Sequence, residues 1–346
     1  MATIWYCLVA AMLAVYVVLD GYDLGAGIIR PLVARTDSER RLVLRTIGPV
    51  WDGNEVWLLA GAGTLFFAFP ALYAAGFSGF YLPLMIVLWL LVGRGISIEF
   101  RNHVASPIWR QFWDTMFFLA SALLAVLFGA ALGNVVRGVP LDSSGRFFEA
   151  LWTDFRLGPP TGVLDWYTIL VGLVSFFALT LHGALWVAKK TEGPVNERSR
   201  RVATLAWPGV LALTALVTGL TFVVQPQVPA NLAAHPWGCL FPALALAGLA
   251  LVRWFLAARD DCKAFLGSCA YLLGMMSSVV FGLYPYVLPS RVNPAYSLTI
   301  HNTKAPDYGL KIGLVWWVLG MALVTGYFVY VNRQFAGKVT PEEEGY

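Results

Sequence analysis

Apolar residues run along this chain in nine blocks, each closed by a short polar or basic stretch. The blocks lie at about 4–29, 48–70, 77–98, 112–134, 162–188, 203–224, 237–257, 264–288 and 309–332. Each is near the roughly 20 residues that cross about 30 Å of hydrocarbon at 1.5 Å per residue. No long polar domain interrupts them. The longest connection, 137–161, contains Gly145, Pro159 and Pro160 and reads as an ordered extramembrane loop; a second, 289–308, is rich in Pro, Asn and Ser. Blocks one and five run in the same direction, and each ends in small and polar residues, Asp20 to Gly27 and His182 to Ala184, before a basic loop. The pattern predicts an all-α integral membrane protein, a single polytopic domain over 1–346 with about nine transmembrane helices. Residues 1–134 and 162–288 are expected to form two four-helix bundles, with 309–332 a peripheral helix.

Basic residues orient this pattern. Of the 24 lysines and arginines, 18 fall in the loops after the odd-numbered blocks and in the C-terminal tail, and 6 on the opposite side. Basic loops stay in the cytoplasm, so the N-terminus is expected outside and the C-terminus inside. An even number of spans would break the alternation. The stretch Met1 to Thr3 has no basic side chain, so the first block reads as a retained span and not a cleaved leader.

Composition agrees: 58% of residues are hydrophobic and 13% charged, with mean hydropathy +0.68, where soluble domains are about 45–50% apolar and 25% charged. The expected surroundings are membrane lipid, and a net charge of +4 gives no nucleic-acid signal. Cys7, Cys239, Cys262 and Cys269 form no metal or covalent-haem spacing and are expected to be buried small hydrophobes. Trp5, Trp109, Trp113, Trp152 and Trp237 sit near block ends, as interface anchors do.

Polar residues gather where lipid makes them costly. Asp20 and Asp23 lie near the basic end of block one. Trp51, Asp52, Asn54 and Glu55 open block two; Arg94, Glu99 and Arg101 close block three; Asp114 opens block four. By the alternation they share one depth. Asp52 and Glu55 are i, i+3 and so share a helical face, where two close carboxylates make a protonatable site. Asp20 and Asp23 share another such face. Unpaired charge at that depth costs roughly 2.5–3.5 kcal/mol, so Asp–Arg pairing between helices, Asp23 with Arg94 included, is expected. Two readings stand for this belt: an ion-pair clasp that holds the helices together, or a path for protons. Among the histidines, His103, His235 and His301 fall in loops and only His182 lies in a span, poor support for haem ligation between facing helices. Nucleotide, phosphate and zinc motifs are absent.

Five stretches, taken in order, resemble subunit II of the cytochrome bd-type quinol oxidases. They are Leu19-Asp20-Gly21-Tyr22-Asp23-Leu24-Gly25; Gly48-Pro49-Val50-Trp51-Asp52-Gly53-Asn54-Glu55-Val56-Trp57; Gly93-Arg94-Gly95-Ile96-Ser97-Ile98-Glu99-Phe100-Arg101; Phe112-Trp113-Asp114; and Gly133-Asn134-Val135-Val136-Arg137-Gly138-Val139-Pro140. The likeness is dense over 1–140 and looser beyond. It implies a multi-pass subunit of the bacterial inner membrane with no haem of its own, packed against a subunit I that carries haems b and d and the quinol site. The complex would oxidise quinol, reduce dioxygen to water and draw protons from the cytoplasm. Asp52, beside Trp51, matches the family's proton-path acid. Asp23, Arg94 and Asp114 match positions tied to assembly around the haems. Glu55 stands where some members have Gln, adding a second acid. Some members hold a structural quinone in this subunit, and the histidine-poor second half neither requires nor excludes one. The rival class is a secondary transporter with an acid-lined path through helices 1–4, which a broken helix or an inverted repeat would favour.

Overall fold

In the computed structural model, which describes residues 1–339, the chain is helical almost throughout. In order come α1 Ala2–Val33, α2 Asp37–Arg45, α3 Trp51–Ala68, α4 Pro70–Gly79, α5 Tyr81–Phe100 and α6 Pro107–Arg137. Then follow α7 Trp166–Lys190, α8 Gly193–Val224, α9 Gln227–Ala234, α10 Leu240–Ala257, α11 Asp261–Leu283 and α12 Asp307–Gln334. Eight of the described helices are long and apolar enough to cross a membrane: α1, α5, α6, α7, α8, α10 with the turn before it, α11 and α12. The second expected span is α3, whose hydropathy is lowered by Asp52, Asn54 and Glu55 at its start. It ends sooner than expected, at Ala68, because the residue before a proline avoids helical backbone: Phe69 turns to φ −135°, ψ 63°, and Pro70 opens α4.

The nine long segments alternate in direction, so α2 and the turns at 101–106 and 258–260 share one end with the close of α12. This is the basic end. The final residue, whose side of the membrane the charge bias assigns, lies outside the described residues. α2 was not expected from the sequence. A capping box starts it: Thr36 Oγ1 accepts from the Glu39 amide and Glu39 Oε2 accepts from the Thr36 amide, both at 3.2 Å. At the opposite end, the 137–161 loop is more regular than its sequence suggests. A parallel pair, β1 Ala150–Trp152 with β2 Gly162–Leu164, leads into α7, and β3 Tyr286–Leu288 pairs with β4 Leu298–Thr299.

The centre of the molecule is the crossing of α1 and α7. A Cβ on Gly25 would lie 2.1 Å from the Leu179 carbonyl and 2.7 Å from Gly183 Cα, so the two backbones touch. Small residues permit that approach, as in membrane helix pairs generally. α3, α6 and α11 flank α1, while α8 packs on α7 and α10 on α11. α12 lies outermost: none of its apolar window is buried, and of its residues Leu310 alone is fully covered.

Two expectations about small groups are corrected. Cys7, Cys239 and Cys262 are exposed, facing outward from the helices, and Cys269 is half-buried. Trp5 is not an interface anchor but a core residue, its Nε1 donating to the Leu310 carbonyl at 3.1 Å.

Candidate functional site

The belt residues do not share one depth. They form two layers on α1 and α5, roughly 10–15 Å apart along the helices at 1.5 Å per residue. The outer layer lies at the basic end. Asp114, on the first turns of α6, accepts from Arg30, Arg101 and Arg40, the last at 3.2 Å. Arg101 also donates to Asp37 at 2.7 Å and Arg110 reaches the same carboxylate at 3.1 Å. Asp37 belongs to α2, so this layer fastens α2 to α1, α5 and α6. Burial works to raise the Asp37 pKa but is outweighed by the Arg101 hydrogen bond and the nearby arginine charges, which hold it below the ordinary value. Glu39 is lowered as well, against burial, by the Arg35 amide and Arg198.

The inner layer is built on Arg94, which is completely buried. Its Nη1 donates to Asp20 Oδ1 at 2.7 Å and its Nη2 to Glu55 Oε2 at 2.6 Å. One guanidinium therefore joins α1, α3 and α5, using the forked donors that make arginine suited to two carboxylates. The expected Asp23–Arg94 pair is not formed. Asp23, also completely buried, accepts from Asn54 Nδ2 at 2.8 Å, and the same amide donates to Tyr22 Oη at 2.7 Å. Asp20 and Asp23 are i, i+3 and a guanidinium has one fork; Asp20 and Glu55 take it, leaving Asp23 to the amide of α3.

Asp52 and Glu55 part company although their spacing puts them near one face. Glu55 turns inward to Arg94 with 24% of its side chain still exposed. Asp52, in the first turn of α3, is exposed and makes no side-chain hydrogen bond or ion pair among the described residues. Trp51 is half-buried against α5, where a Cβ on Gly95 would meet its ring at 3.3 Å. Glu99 joins neither layer; it lends only its carbonyl, 2.8 Å from His103 Nδ1. Thus Asp20, Asp23, Asn54, Glu55 and Arg94 come together, with Asp52 one turn outward. Arg101 and Asp114 form the second cluster.

His182 is committed on both sides. Nε2 donates to the Val18 carbonyl at 2.9 Å and Nδ1 lies 2.7 Å from Ser268 Oγ. Among the described residues no group of three or more His, Cys, Asp and Glu is placed to hold a metal. A cluster centred on Arg137, from the last of the five resembling stretches, lies at the opposite end. Arg137 is buried and donates to Asn134 and Glu149 at 2.7 Å each, to the Gly162 carbonyl at 3.0 Å, and to Asp165. Asp165 also caps α7. A basic residue in the last turn of a span, near two acids in a long loop, was the available signal. Burial leads the causes that raise the Glu149 pKa.

Comparisons with known proteins converge. The family model for cytochrome bd terminal oxidase subunit II matches residues 1–335. The cytochrome bd ubiquinol oxidase subunit 2 of Bacillus subtilis is 30% identical, covering 98% of this chain and 97% of its own length. The cytochrome bd-I ubiquinol oxidase subunit 2 of Escherichia coli K12 is 29% identical over 98% and 95%. A chain of the solved bd oxidase of Geobacillus thermodenitrificans superposes with a TM-score of 0.77 at 18% identity, over 97% of this chain and 98% of that one. A match along nearly the whole length, on a multi-pass helical membrane fold, places the molecule: the chain belongs to the cytochrome bd terminal oxidase subunit II family.

Proposed function

We propose that this chain carries protons from the cytoplasm toward a haem-bearing subunit I of a quinol:oxygen oxidoreductase and braces that subunit. The observation that supports the reading is the order of acids at the basic end: exposed Asp52, half-buried Glu55, then buried Asp20 across Arg94. A carboxylate open to water can exchange protons with the bulk, and Glu55 stands between that mouth and the buried layer. One helix turn is about 5.4 Å, so water completes each hop. The outer layer of arginines and Asp114 acts as the clasp. Asp52 and Glu55 serve transfer; Trp51, packed against α5, and Asn54, bonded to Asp23 and Tyr22 of α1, fix the start of α3 that carries them.

In this reading the basic end faces the cytoplasm, with the N-terminus outside. Haems b and d and the quinol site belong to the partner, which supplies the oxygen chemistry, and the chain alone is not a catalyst. The two four-helix bundles are 1–134 and 162–288, with 309–332 outside them. Should a structural quinone bind here, a cavity of about 470 Å³ suits its apolar tail, with walls that include Leu13, Phe128, Tyr271 and Met275. The transporter alternative lacks a specific observation in its favour: the breaks at Pro70 after α3 and at Pro226 after α8 fall on segments that run the same way and are not inverted.

The test is oxygen consumption per haem in the purified complex. Asp52→Asn removes the proton carrier and keeps the shape; turnover is expected to fall about tenfold, as for a barrier raised by ~1.4 kcal/mol, with the haem spectrum intact. Asp52→Asn combined with Glu55→Gln should be slower than either change alone. Wild-type turnover in the double variant at full haem content reduces the chain to a scaffold.

A further inference from the structure

After α12 the chain does not leave the bundle. Residues 335–339 fold back onto the end of α7, with Gly337 turning at φ 94°. Lys190, a buried residue of α7, donates from Nζ to the Phe335 and Gly337 carbonyls, the second at 3.2 Å. Its own carbonyl accepts from the Val339 amide at 2.8 Å. Lys338 Nζ reaches the Thr191 carbonyl at 3.2 Å and the Glu192 carboxylate at 3.4 Å. The strap so formed walls one side of a cavity of about 520 Å³ at the basic end. Arg45 at the end of α2, Pro49 and Val50 in the turn before α3, and Trp186 of α7 wall the other sides.

The charge of that cavity is one-sided. Arg45, Lys190 and Lys338 line it, and among the described residues no acid does; Glu192 meets Lys338 from beside it. Three cations around one partly enclosed space repel one another, and an anion relieves them. The sequence supplies that anion. Val339 stands in the cavity wall, and the residues after it read Thr340-Pro341-Glu342-Glu343-Glu344. The three glutamates follow Val339 by three to five residues, so they lie at most about 10 to 18 Å along the chain from the wall.

We propose that Glu342, Glu343 and Glu344 seat in this cavity and pair with Arg45, Lys190 and Lys338. A tethered acid has an advantage over any anion drawn from solution, because a short flexible link gives it an effective concentration in the mM range. Seated there, the segment ties the end of α12, whose apolar window is bare, to α7 and to the turn between α2 and α3. Pro49 and Val50 lead directly into Trp51 and Asp52, so the same contact braces the start of α3. Seating does not depend on Asp52 carrying protons.

The experiment uses the full chain in the assembled complex. Pro49 is exposed and lines the cavity; Val104, exposed in the turn after α5, shares the basic end but does not line it. Pro49→Cys and Val104→Cys are each combined with Glu343→Cys and oxidised, and the disulfide-linked peptides are quantified by mass spectrometry after digestion. The Pro49 pair is expected to give at least about tenfold more linked peptide, as its higher local concentration requires, and adding Glu342→Gln with Glu344→Gln should cut that yield. Equal yields from the two pairs, or a Pro49 yield unmoved by removing the charges, overturn the seat. A second measurement needs no cysteine. In Glu342→Gln/Glu343→Gln/Glu344→Gln, amide exchange at Val339, which bonds the Lys190 carbonyl, should quicken about tenfold as the strap opens more often. Unchanged exchange overturns the proposal. So does anionic phospholipid that co-purifies with the complex, is lost in Arg45→Gln and is indifferent to the three glutamines, since it assigns the cavity to a lipid headgroup.

Discussion

Arg94 is the residue whose loss should be felt most. It is fully buried and satisfies two carboxylates on two other helices, so Arg94→Ala strands Asp20 and Glu55 together. Removing one partner of a buried ion pair costs about 3–5 kcal/mol, enough to abolish a marginal membrane fold. Asp23→Ala should be milder, because its partner is the neutral Asn54 amide, which retains Tyr22 Oη as an acceptor. The expected order of haem-containing complex recovered from membranes is wild type, then Asp23→Ala, then Arg94→Ala; equal recovery of the two variants contradicts this assignment. At this scale the sequence was informative about which residues gather and not about which pairs form. Spacing put Asp20 and Asp23 on one face, yet it could not say which would take the single fork of Arg94. The choice depends on Glu55 approaching from α3, a contact between residues 39 positions apart. Arg137 stayed hidden for a like reason: its acids, Glu149 and Asp165, lie beyond its helix in a loop without periodicity.

At the scale of elements, α2 is held by charge as well as by burial. Asp37 and Glu39 both have pKa values below their ordinary ones, so each contributes stability that is complete above the unfolded value, about 4, and is lost as pH falls through the folded value. α2 should therefore loosen in acid while the apolar core stays closed. Amide exchange at Leu42 to Leu44, compared at neutral pH and near pH 3, checks this; unchanged protection would mean that Leu42, Val43 and Leu44, which are buried, hold α2 alone. A second prediction concerns the α1–α7 crossing. Gly183→Val places atoms where Gly25 backbone lies, at 2.3 Å for the first of them. Yield of folded chain should collapse, whereas Gly326→Val on α12, where a Cβ meets nothing within 4 Å, should be tolerated. Long apolar blocks made the spanning helices legible. The short elements were not: α2 depends on a four-residue capping box and on partners in α5 and α6, and β1 and β2 are three residues each. Hydropathy is blind to both.

At the scale of the whole molecule, the charge bias predicts the side on which each end lies. A reporter fused after residue 339 should be active in the cytoplasm, and one fused before residue 1 outside; a periplasmic signal from the first reverses the proton path argued above. Span number and alternation were legible because a bilayer demands them from every segment. Which helix would sit at the centre was not, since the mean hydropathy windows of α1 and α12, 2.2 and 1.9, hardly differ. Both carry glycines, but Gly25 of α1 meets the α7 backbone whereas Gly309, Gly320 and Gly326 of α12 meet nothing. That central place has a consequence for biogenesis. α1 leaves the ribosome before α5, and Asp20 waits 74 residues for Arg94. At about 5–20 residues per second that is roughly 4–15 s with buried-type carboxylates in an unfinished helix. The nascent α1 should linger at the insertion machinery until α5 arrives, so its release into lipid waits on a helix made after it.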